Sequence, residues 1–68
     1  MRDWLREKRT EKSLTMAQMA KRLDITESYY SLIENGERQK KMDIDLACKL
    51  ASIFAIPVEQ IVELEAKT

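Results

Sequence analysis

Histidine is absent from this chain of 68 residues, and cysteine, proline and glycine occur once each. Without histidine, and with one thiol, no nucleophile–base–orienter set can be drawn, which argues against an enzyme. No Cys/His spacing suits a structural metal and no phosphate loop is present. Asp43-x-Asp45 begins like a calcium loop, but no glycine follows at the place such a loop needs one. No cofactor is therefore expected. Cys48 cannot form an internal disulfide, which suits a reducing cytosol, and its place in an apolar run marks it as core packing. One glycine and one proline leave little room for hairpins, so helices are favoured. Long apolar runs are missing too: Ile53–Ile56 ends at Pro57, far short of the roughly 18 residues of a membrane span. No apolar leader follows Met1-Arg2-Asp3, so a secretory signal is not expected and a cytoplasmic protein is.

Net charge is also missing, with twelve basic and twelve acidic residues. The distribution matters more than the sum. Residues 1–41 hold ten Lys/Arg against seven Asp/Glu, a net of +3, and residues 42–68 hold two against five, a net of −3. One half can face phosphate while the other faces away.

What is present reads as one all-α domain over residues 1–68, a compact bundle of five helices near 2–12, 16–23, 27–35, 44–55 and 58–64. Helix 1 has a thin apolar side: Trp4 and Leu5, then the stems of Lys8 and Arg9. Ser13 ends it and Leu14 turns inward. Thr15 with Gln18 three residues on forms the T-x-x-Q capping box, in which each side chain satisfies a backbone N–H of the other. Met16, Met19, Ala20 and Leu23 follow at i, i+3, i+4 and i+7, one apolar stripe. Asp24 suits a left-handed corner, Ile25 plugs it, and Thr26 is a second N-cap with Glu27 in the favourable first turn. Tyr30 and Ile33 face inward with Tyr29 beside them, and Gly36 suits the left-handed residue after the helix. Asp43 caps helix 4, whose only polar residues, Asp45, Lys49 and Ser52, leave a narrow polar stripe on an otherwise buried helix. Pro57 suits the first position of helix 5; Val58, Ile61 and Val62 give its apolar face, and Glu59, Glu63 and Glu65 its wet one.

Two short helices around a three-residue turn, capped by Thr15 and Thr26, make a helix-turn-helix unit. The run Leu14-Thr15-Met16-Ala17-Gln18-Met19-Ala20-Lys21-Arg22-Leu23-Asp24-Ile25-Thr26 resembles the start of the phage repressor/Cro-like, or XRE-type, family. Glu27-Ser28-Tyr29-Tyr30-Ser31-Leu32-Ile33-Glu34-Asn35-Gly36 resembles that family's recognition helix, and Leu46 to Pro57 is similar to its fourth helix and following turn. The resemblance covers nearly the whole chain. Departures are Met16 where Gln is common, Asp24 where Gly is common, Glu37 where a basic residue is common, and a loop to helix 4 about two residues longer.

The resemblance implies a transcriptional regulator, a repressor in the first instance, that places helix 27–35 in the major groove of double-stranded DNA. Carried over by position, Thr26, Glu27, Ser28, Tyr29 and Leu32 face bases: Glu27 can accept from cytosine and Leu32 can meet a thymine methyl. Thr15, Met16 in the first turn of helix 2, Asn35, Arg38, Lys40 and Lys41 face phosphates. Arg9 and Glu34 match a pair that bridges helix 1 to the end of helix 3. Each residue has a plainer role open to it. Thr15 and Thr26 cap helices in either case, Glu27 suits any first turn, Leu32 can be a lone surface apolar residue, Tyr29 can be structural, and a short basic run is usually just solvated. The resemblance also implies a homodimer on a palindromic operator, meeting through helix 5 at Val58, Ile61, Val62 or Leu64, although Val58 and Ile61 can equally close the core. The rival reading is a protein-interaction module of the same fold, an antitoxin or adaptor, which zero net charge suits.

Overall fold

Three of the five helices begin at a side chain that satisfies a free amide. In this computed structural model, which describes residues 1–67, the helices are α1 (Asp3–Glu11), α2 (Met16–Leu23), α3 (Glu27–Glu34), α4 (Ile44–Phe54) and α5 (Val58–Ala66). The Thr15 hydroxyl accepts from the Gln18 amide at 3.1 Å, and the Gln18 side chain accepts from the Thr15 amide at 2.8 Å, so the capping box is complete. Thr26 accepts from the Tyr29 amide at 3.1 Å and Asp43 from the Leu46 amide at 2.8 Å. Pro57 stands one residue earlier than expected, just outside α5 with φ −65°.

The ends of α1, α2, α3 and α4 share one solution. Ser13, Asp24, Gly36 and Ala55 all lie in the left-handed region. The amide after each reaches back to a carbonyl five residues earlier: Leu14 to Arg9, Ile25 to Ala20, Glu37 to Leu32, Ile56 to Ala51. This is the Schellman closure, which satisfies carbonyls the helix leaves unpaired. At three of the four ends the residue after the left-handed one is Leu14, Ile25 or Ile56, which packs against the core. Those apolar plugs hold Ser13, Asp24 and Ala55 in a conformation that glycine would reach at less cost.

Packing joins α2 to α3, α4 to α5, α1 to α3 and α2 to α4. The core is Trp4, Leu5, Met19, Leu23, Tyr30, Ile33, Leu46, Leu50, Phe54 and Ile61, with Ala20, Ala47 and Ala51 between them. Two readings of side-chain direction are corrected here. Cys48 is exposed, not core, and Ile44 is 78% exposed. The inward face of α4 is Leu46, Ala47, Leu50, Ala51 and Phe54, which fills the available contact with its neighbours. The opposite side stays wet although it is partly apolar, so the dry face is narrower than the composition implied. On α5, Val62 is 60% exposed, whereas Leu64 packs against the core beside Ile61 and Val58. The inward row is thus Val58, Ile61 and Leu64, a spacing of three that fits a helix as well as the row ending at Val62.

Candidate nucleic-acid interface

The turn between α2 and α3 fixes how the second helix is presented. Asp24 supplies the left-handed corner, Ile25 seats against the core, and the Thr26 cap starts α3. Thr26, Glu27 and Ser28 are all exposed and stand together at the N-terminal end of α3. Tyr29 is half-buried against the core, and its hydroxyl accepts a hydrogen bond from the Gln39 amide group at 3.0 Å. Leu32 is half-buried and Asn35, which ends the helix, is exposed. Thr15 is exposed, whereas Met16 packs partly against the core.

Beyond Gly36, at φ +82°, the chain turns back over the end of α3: the amides of Glu37 and Arg38 both donate to the Leu32 carbonyl, at 2.9 and 3.2 Å. Arg38, Lys40 and Lys41 are exposed on this loop. A wet helix start and a basic loop therefore flank the same short helix. A helix N-terminus and exposed cations are the two features that favour an anionic backbone.

The base of α3 is held from behind by a charged cluster. The Arg9 guanidinium forks onto Glu34, Nε to Oε2 at 3.0 Å and Nη2 to Oε1 at 3.2 Å, and its third nitrogen donates to the Leu14 carbonyl at 2.8 Å. Glu34 is fully buried. The hydrogen bond and charge of Glu34 hold the Arg9 guanidinium above its ordinary value, against the opposing effect of burial. Tyr30, one turn before Glu34, places its buried hydroxyl close enough to feel both charges but makes no well-formed hydrogen bond. Burial first, and then the neighbouring carboxylate, push its phenol well above the usual range.

A second cluster was not anticipated. Arg2, only 3% exposed, donates to the carbonyls of Ile33 at 2.6 Å, Arg38 at 3.0 Å and Gln39, and binds Glu65 with Nε and Nη2 at 2.9 and 3.0 Å. The Trp4 indole donates to the same carboxylate at 2.9 Å. Glu65 therefore does not belong to the wet face of α5; it faces inward and joins α5 to the start of the chain. Two of the ten cations in residues 1–41 are thus committed to carboxylates in the interior. Of the residues expected at a dimer surface, Val62 is open, Val58 and Leu64 are half-buried, and Ile61 is sealed in the core and offers no surface to a second copy.

The model of the helix-turn-helix family matches residues 5–61. The chain belongs to the XRE-type helix-turn-helix family. Over 39 residues this helix-turn-helix chain is 46% identical to an uncharacterised HTH-type transcriptional regulator of Bacillus subtilis (strain 168), YqaF. The aligned stretch is 57% of this chain and 51% of that protein, so the chain spans about half the length of the relative it matches. No solved structure matches it significantly.

Proposed function

We propose that this helix-turn-helix protein is a sequence-specific regulator of transcription that binds double-stranded DNA by laying α3 in the major groove. One observation carries the reading: Thr26, Glu27 and Ser28 stand exposed at the start of α3, and the loop that leaves its other end presents Arg38, Lys40 and Lys41. A major groove about 12 Å wide accepts one helix, with the helix's N-terminal residues against base edges. Thr26, Glu27 and Ser28 are the first base readers, Glu27 accepting from a cytosine amino group. Tyr29 and Leu32 lie further along and reach bases only with their outer edges. Thr15, the first-turn amide of Met16, Asn35, Arg38, Lys40 and Lys41 take phosphates.

One helix covers few base pairs, so the reading includes a homodimer on a palindromic operator, with half-sites about one helical turn, roughly 34–36 Å, apart. Val62 is the first candidate for its surface. Occupying a site that overlaps a promoter blocks it, which makes repression the expected mode. A family relative named as a transcriptional regulator supports the DNA reading. Exposed Ile44 and Val62 favour a second reading, an adaptor or antitoxin that meets a protein instead.

Selection from a random duplex pool, followed by a salt titration of the winner and of a scrambled duplex, separates the two. A DNA regulator enriches a palindrome and loses affinity linearly in log–log salt. Lys40→Ala and Lys41→Ala then each flatten that line by about one unit. No enrichment, together with negligible binding at low salt, sinks the DNA reading and leaves the adaptor. Sedimentation that shows monomers both free and on the selected duplex sinks the dimer.

A further inference from the structure

Arg2 uses every donor it has. Its five guanidinium N–H groups go to the carbonyls of Ile33, Arg38 and Gln39 and to both oxygens of Glu65. Its backbone amide also donates to the Glu34 carbonyl at 2.8 Å, at the end of α3. No shorter or less forked side chain could span these groups, so this position is specific for arginine.

What Arg2 grips is the root of the basic loop. Gln39, gripped through its carbonyl, sits at φ +55°. Its side chain spans the loop: the amide nitrogen donates to the Tyr29 hydroxyl on α3 at 3.0 Å, and the amide oxygen accepts from the Asp43 N–H at 3.1 Å, at the start of α4. The loop is thus pinned at Arg38 and Gln39 by Arg2 and at Asp43 by Gln39. Exposed Lys40 and Lys41 lie between the pins.

We infer that Arg2, Gln39 and Glu65 are positioning residues for DNA binding: they hold the loop that carries Arg38, Lys40 and Lys41 in one place beside α3. The inference rests on the DNA reading above. Cations held in place by the clasp reach phosphates with little freedom to lose, whereas on a loose loop the cost of ordering exceeds what the contact returns, so those cations stay in water. Glu65 makes no contact with DNA in this arrangement; it orients the guanidinium that grips the loop.

The sign of one substitution tests this. Glu65→Gln removes a negative charge, and on charge alone that strengthens attraction to DNA. Positioning requires the opposite. Wild type, Glu65→Gln, Gln39→Ala and Arg2→Lys are titrated with a short random-sequence duplex at several salt concentrations, at a temperature where circular dichroism shows each to be folded. Glu65→Gln and Gln39→Ala are expected to bind more weakly, with a log–log salt slope flatter by about two units, as loop cations leave their phosphates. Arg2→Lys keeps the charge but not the fork and follows them; if it does not fold, the other two decide. A purely structural clasp lowers the melting temperature and leaves the slope of the folded protein unchanged, and that result, or tighter binding by Glu65→Gln, overturns the inference. If wild type binds no duplex at low salt, the DNA reading has failed and the inference with it as a statement about DNA. Whether the clasp holds the loop is then read from exchange of the Asp43 amide: faster exchange in Glu65→Gln keeps the loop anchor, and unchanged exchange removes it too.

Discussion

Arg2 stands just before the first helix and Arg9 in its last turn, and each closes on a carboxylate from a distant part of the chain, yet the two sites are built differently. Glu34, the partner of Arg9, has no exposed surface, and the pair lies between α1 and α3 with 11% of the Arg9 side chain in water. Glu65, the partner of Arg2, keeps 19% of its side chain in water, and Arg2 spends three of its five donors on backbone carbonyls. The Arg9 site is an ion pair that cannot lose a member without stranding the other. The Arg2 site is a backbone clamp that a carboxylate orients. The first secures the fold of the α3 base, and the second the shape of the loop that follows α3.

The comparison breaks most readily at Arg9. Arg9→Ala leaves Glu34 buried and unpaired, and denaturant melts should show a loss of about 3–5 kcal/mol. That is a large share of the roughly 5–15 kcal/mol a domain has. Replacing the pair together, Arg9→Met with Glu34→Leu, should recover most of the loss, because the cost lies in the stranded charge. If the double variant is as unstable as Arg9→Ala, the site is not a buried pair of this kind. Glu65→Gln should cost less, about 1.5–3 kcal/mol, since the carboxylate takes charge-assisted bonds but reaches water. A larger loss there than at Arg9 would reverse the comparison.

A control lies outside both sites. Ala55 is exposed and holds φ +55° without a glycine's freedom, so Ala55→Gly should raise stability by about 1 kcal/mol. The smallest change expected is at Tyr30. Its hydroxyl has no well-formed partner, so Tyr30→Phe should stay within about 1 kcal/mol of wild type at neutral pH. The difference should grow in alkali. The fold keeps the phenol neutral, whereas the unfolded chain releases its proton near the ordinary value of 10.0. Above that pH the unfolded state binds fewer protons than the folded one, so stability falls as pH rises, and below it the contribution is complete. Melts between neutral pH and pH 11 should therefore show a steeper alkaline loss in wild type than in Tyr30→Phe. Equal slopes would place the Tyr30 hydroxyl in contact with water.

Much of this was written locally in the sequence. Thr15-x-x-Gln18, Thr26 and Asp43 announce helix starts because a cap needs only a side chain and an amide three residues on. Asp24 and Gly36 announce helix ends for a similar reason, and the helix limits agree with expectation to within two residues. The Arg9–Glu34 contact came from resemblance, not from any local pattern. Arg2–Glu65 had no such help. The partners are 63 residues apart, and nothing distinguishes Glu65 from Glu59 and Glu63 until α5 is packed. Cys48 and Ile44, both on α4, face water for one reason. When a short helix is apolar on most sides, its periodicity does not say which apolar side meets the core, and only its neighbours decide.

In the proposed function, α3 and its basic loop meet DNA. The direct measurement is a titration of isotope-labelled protein with the selected duplex, followed amide by amide. Shifts concentrated at Thr15–Met16, Thr26–Leu32 and Arg38–Lys41, with the Glu59–Glu63 side of α5 quiet apart from any dimer contact at Val62, are what the account requires. Shifts that centre on α4 and α5 while α3 stays silent would contradict it.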